Sequence, residues 1–139
     1  MEEPLTDELL ASLLASPDPK TFADKNKIAH RSLPDYLQEL LDTHNLVRAQ
    51  VIREAQLNET FGYQIFMGQR NPSRDKVLQL AFAMHLTLQE ANRLCQAAGV
   101  NSLYAKDRRD AILIFCLDRG MSLQKVNEEL YRFREETLC

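Results

Sequence analysis

The chain of 139 residues reads as all-α. Three observations predict this: only four Gly and five Pro, dense Leu/Ala/Ile stretches with few β-branched runs, and helix start and stop signals recurring along the chain. Apolar residues make up 45% of the sequence, enough for a core of about one ordinary domain with a small appendage.

Leu5, Leu9, Leu10, Leu13 and Leu14 recur at helical spacing and predict a short amphipathic helix over residues 5–15, which ends before Ser16-Pro17-Asp18-Pro19. A linker follows to residue 31. Ser32 then N-caps a helix with Pro34 in its first turn, Asp35 favourable to its dipole, and Leu37, Leu40 and Leu41 on its inner face. The next helix spans residues 47–56 with Val51, Ile52 and Ala55 inward, and Val47 lacks a capping oxygen. Asn58 caps a third, ending at Met67 before Gly68, which suits a left-handed C-terminal position.

Ser73 opens a fourth helix over residues 74–85, and Thr87-Leu88-Gln89-Glu90 is a capping-box sequence for a fifth that stops at Gly99. Two more follow: residues 106–119, closed by Gly120, and residues 123–134, opened by Ser122. Arg74-Asp75-Lys76-Val77-Leu78 aligns with Arg109-Asp110-Ala111-Ile112-Leu113. Residues 86–92 align with residues 121–127 without a gap, so the second copy is read as a hairpin packed on the first. The run from Ala111 to Leu117 is apolar on every side and needs burial all round, as a central core helix or through self-association.

That run is also the longest apolar stretch and is far too short to span a bilayer, while the start, MEEPLTDELL, is acidic where a signal peptide is basic. A cytoplasmic protein without a membrane segment is expected. Cys95, Cys116 and Cys139 are far apart and His30, His44 and His85 stand at no ligand spacing, so neither metal nor cofactor is expected. No His has a nucleophile partner and no Gly-rich loop precedes a helix, which argues against an enzyme. The net charge of −3 sits in residues 1–30, where Lys20, Lys25 and Lys27 face Glu2, Glu3, Asp7, Glu8, Asp18 and Asp24. The remainder is neutral.

The stretch 56–73, QLNETFGYQIFMGQRNPS, together with Leu46, Val51-Ile52 and the apolar spacing of Val77, Leu78, Leu80, Ala81 and Leu86, resembles the helix-turn-helix of the lambda repressor/Cro (XRE) type over residues 37–90. The resemblance implies a five-helix DNA-binding domain over residues 32–100, with helix 58–67 reading the major groove. Residues 1–31 are then an acidic N-terminal segment, and residues 101–139 a helical hairpin for packing or dimerisation.

A recognition helix buries one face and presents polar side chains to base edges. Ile65, with Phe61 or Phe66, would turn inward and leave Glu59, Thr60, Tyr63 and Gln64 as base contacts. Residues 54–69 contain no Lys or Arg, so phosphate contacts would come from Arg48, Arg70, Ser73, Arg74 and Lys76. Gln56 stands where the family has a turn Gly and is tolerated most easily by a turn that avoids left-handed geometry. Gly62 inside a helix costs about 1 kcal/mol relative to Ala.

The implied partners are double-stranded DNA and a second copy of the chain, since such modules bind paired half-sites. The competing expectation is a helical adaptor that holds another protein, with the Leu-rich N-terminal segment as a further contact for a protein partner.

Overall fold

Ser32 marks the beginning of the part of the chain that the computed structural model describes, residues 32–139; the helix expected over residues 5–15 and its linker lie outside it. Within it are seven α-helices and no strand.

Helix α1 (Leu33–Thr43) starts because Ser32 Oγ accepts the Asp35 amide (3.2 Å), and it buries Leu33, Tyr36, Leu37, Leu40 and Leu41. Helix α2 (Arg48–Glu54) has no side-chain cap at Val47 and turns Val51 and Ile52 inward. Asn58 Oδ1 accepts the Phe61 amide (3.1 Å) and begins α3 (Glu59–Phe66). Ser73 caps α4 (Arg74–Ala83), and the Thr87/Glu90 capping box opens α5 (Leu88–Ala97).

Helix α6 (Arg108–Asp118) begins two residues later than Lys106, because Asp107 Oδ1 takes the Asp110 amide (2.9 Å) and serves as N-cap. Ser122 opens α7 (Leu123–Arg132). The helices expected to reach His85 and Arg134 stop at Ala83 and Arg132, since His85 (φ 53°) and Arg134 (φ 59°) adopt left-handed conformations that end a right-handed helix.

Helix α1 lies against α3 and α5, and α2 against α3 and α4. The pairs α4–α5 and α6–α7 are two hairpins, with α4 on α7 and α5 on α6. That crosswise arrangement is what an approximate twofold axis between two copies of one hairpin produces, and the polar contacts obey it. Arg74 forks onto Asp110 (2.9 and 2.7 Å) and also donates to the carbonyls of Asn101 and Ser102. Arg109, 35 positions later, forks onto Asp75 (2.9 and 3.2 Å) and donates to the carbonyls of Glu136 and Thr137.

Asn92 Oδ1 accepts the Leu103 amide (2.9 Å) just as Asn127 Oδ1 accepts that of Leu138 (2.7 Å). Even the positive-φ positions correspond, His85 with Gly120 and Gly99 with Arg134. The repeat legible over residues 74–127 therefore extends to residue 139, and each copy supplies half of the seam that joins them.

Helix α6 is not surrounded on all sides. Leu113, Cys116 and Leu117 face inward, whereas Ala111 and Phe115 are exposed and Ile112 and Ile114 half-buried. The expectation of a central core helix is corrected: α6 lies at the edge of the bundle because α4, its counterpart, occupies the centre with Val77 to Met84 all buried.

Candidate nucleic-acid interface

Helix α3 is anchored by Ile65 and Phe66, both buried, and by Gly62, while Phe61 is half-buried. A Cβ on Gly62 would stand 2.5 Å from Ile52 Cγ2, so the glycine is what lets α2 and α3 cross closely. Ile52 is a large residue for so close a crossing, and Gly62 opposite makes the room. The cost of glycine in a helix is thus offset by packing.

The turn between the two helices does use left-handed geometry: Gln56 has φ 57°, a conformation costly for a residue with a side chain, by about 1–2 kcal/mol. The condition under which Gln56 would be easily tolerated, a turn without left-handed geometry, is therefore not met. Its backbone is held from below by Gln79, fully buried in α4, whose Nε2 donates to the Ala55 carbonyl (2.9 Å) at the end of α2. Gln79 Oε1 finds no partner among the described residues. On the other side Cys139 Sγ reaches Gln56 Oε1 (3.6 Å). Gln79 was not singled out from sequence, although a Gln within the apolar run 77–84 is a signal that a buried polar contact awaits it.

With that side packed, α3 turns Glu59, Thr60, Tyr63 and Met67 to the surface. The Arg48 guanidinium lies over the Tyr63 ring, 4.9 Å from its centroid, a cation–π contact that holds both side chains at the mouth of a cleft of about 560 Å³. Arg53 lines the same cleft with Ile52, Leu57, Glu59 and Thr60, and was missed because the resemblance offered no role for it. Gln64 is half-buried, and Arg70 Nε donates to its Oε1 (3.1 Å), so these two act as a unit in which the cation fixes the amide.

Gly68 (φ 78°) leads out of α3, and its missing side chain lets Pro34 of α1 approach, since a Cβ there would meet Pro34 Cγ at 3.0 Å. The link then delivers Arg70 beside α3, buried Pro72, and Ser73 at the start of α4, where Ser73 Oγ accepts the Lys76 amide (3.5 Å). Lys76 is half-buried.

Arg74 is elsewhere. Its donors are taken by Asp110, Asn101 and Ser102 in the seam between hairpins, so it is withdrawn from the expected phosphate contacts: a guanidinium committed to a 93%-buried carboxylate side chain is not available to DNA. The structure thus brings Arg48, Glu59, Thr60 and Tyr63 around one cleft of the α2–α3 pair, with Arg53 added, and pairs Gln64 of α3 with Arg70.

Cys95 and Cys116 are buried, and burial pushes both thiols up, away from the reactive thiolate. Among the described residues no cluster of His, Cys, Asp and Glu could hold a metal, and no helix is long and apolar enough to cross a membrane. Comparison with protein-family models, with curated proteins and with solved structures found no match.

Proposed function

We propose that the protein is a sequence-specific regulator of transcription that binds double-stranded DNA as a dimer and enters the major groove with α3. The observation that supports it is the composition of the exposed side of the α2–α3 pair. Polar side chains at one-turn spacing stand on a short, firmly packed helix, ringed by Arg48, Arg53 and Arg70. In this reading Gln64, oriented by Arg70, reads a base; Thr60 meets a thymine methyl; Glu59 accepts from cytosine; and Tyr63 and the arginines hold phosphates, with Ser73 and Lys76 at the start of α4. The arginines on neighbouring segments supply the positive charge that α3 itself lacks.

The test is selection of bound fragments from a genomic or random library with the purified chain, at low and at moderate salt. Enrichment of a sequence motif is expected, with affinity falling as salt rises by a log–log slope of about −0.9 per phosphate contact. No enrichment and no binding even at low salt would sink the proposal.

A second reading, a helical adaptor that grips another protein with this same side, is favoured by one observation. Val47, Tyr63 and Met67 are 63%, 45% and 42% exposed, an apolar content that suits a protein partner as well as it suits bases. Binding that barely changes with salt is its signature.

A further inference from the structure

The two hairpins are equivalent, but they are not equally covered. Helix α2 rests on α4, where Val77, Gln79 and Leu80 are fully buried, Lys76 is half-buried, and Gln79 is bonded to the Ala55 carbonyl at the end of α2. Their counterparts 35 positions on are Ala111, Ile112, Ile114 and Phe115 of α6. Of these, Phe115 is 50% exposed and Ala111 exposed, while Ile112 and Ile114 are half-buried, each packed in part against the core. The second hairpin therefore repeats a helix-binding face and leaves its centre, Ala111 and Phe115, open, in a more apolar form than the original.

What distinguishes the two faces is their far end. Ala83 and Met84, buried at the end of α4 and its C-cap, correspond to Asp118 and Arg119, both exposed at the end of α6 and its C-cap. On a helix Ala111 and Phe115 run down the middle of the open strip, Asp118 and Ile114 lie along one flank, and Arg119 and Ile112 along the other. Arg119 already leans over the Phe115 ring, 4.5 Å from its centroid.

A strip with opposite charges on its two flanks is self-complementary in one orientation only. When two such helices run parallel about a twofold axis along them, each flank meets the opposite flank of the other, so Asp118 faces Arg119 and Ile112 faces Ile114 around a centre of Ala111 and Phe115. An antiparallel pair sets each flank against itself, carrying Asp118 toward Asp107.

We propose that the open face of α6 is a homodimer interface, occupied by α6 of a second copy of this chain in parallel orientation, with Phe115 as its apolar anchor and Asp118 and Arg119 setting the orientation. This deepens the dimeric part of the DNA-binding reading, yet it is tested without DNA, so either can fail alone.

The experiment is sedimentation equilibrium of the full chain from about 1 to about 100 µM, a range in which a micromolar dimer is resolved. The wild type is expected to dimerise, and Phe115→Glu to weaken association by about tenfold or more, as loss of a central aromatic anchor does. Because Phe115 is half exposed, the circular dichroism spectrum, and the urea midpoint taken at a concentration where the wild type is monomeric, should stay at wild-type values. Asp118→Arg and Arg119→Asp, each placing like charges face to face, should weaken the dimer, and the double variant should regain it. A monomer throughout, a dimer indifferent to Phe115→Glu, or a double variant no better than the singles would overturn the proposal; the first outcome leaves the face to a helix of another protein.

Discussion

At the scale of single residues, two positions carry the cost of building α2 and α3 into a tight pair. Gly62 is required by contact: the nearest atom to an added Cβ is a γ-methyl fixed to a β-branched side chain, which cannot swing aside. Gly62→Ala gains about 1 kcal/mol of helix propensity but overpacks the crossing by about 1–3 kcal/mol, so a net loss of stability is expected in urea unfolding. The pair Ile52→Ala with Gly62→Ala should lose less than the sum of the singles, because the first removes the atoms that the second strikes. Additive losses would show that the two residues do not share the crossing.

The residues proposed to meet DNA separate in the same way. Gln64→Ala, which deletes the amide that Arg70 orients, should flatten the sequence preference in a binding selection while leaving low-salt affinity for bulk DNA nearly unchanged. Arg48→Ala should instead weaken binding to every sequence and reduce the salt slope by about 1. A Gln64 variant with an intact motif would remove that residue from base reading.

Between elements, the seam of the two hairpins rests on two Arg–Asp forks whose surroundings differ. The side chain of Asp110 is 7% exposed and that of Asp75 36%. Removing an arginine leaves its carboxylate unpaired, and the penalty grows with burial. Arg74→Ala is therefore expected to cost about 3 kcal/mol and Arg109→Ala distinctly less, by urea midpoints. Equal losses would mean that the carbonyl contacts, which the two arginines share in kind, dominate over the carboxylates. The same forks explain why the repeat was legible yet its meaning was not: Arg-Asp recurs at 74–75 and 109–110, but only the folded chain reveals that each Arg reaches the other copy's Asp.

Over the whole molecule, the carboxylates that lock elements together set the response to acid. Burial works to raise Asp110, but the Arg74 fork and the Tyr104 amide outweigh it and hold the carboxyl below its ordinary value. Burial likewise raises Glu90, and the Thr87 bonds with His44 Nε2 at 2.7 Å bring it below the usual range. Both groups thus bind protons less readily folded than unfolded. The stability they contribute is present above the ordinary carboxylate pKa of about 4 and lost as pH falls through the lowered folded values. Urea midpoints should fall steeply below about pH 4, and Asp110→Asn should flatten that fall.

Helix positions, caps and the inward residues of α1 and α2 followed from local signals in the chain. Capping oxygens, glycines and apolar spacing act within a turn or two, so their physics is written in neighbouring residues. Gln79 beneath the turn, the close crossing at Gly62, the capture of Arg74 by Asp110 and the open face of α6 were decided only by the tertiary structure. Each depends on which distant segment arrives opposite, and burial, not residue type, then determines whether an arginine is a tie within the protein or a contact for a partner.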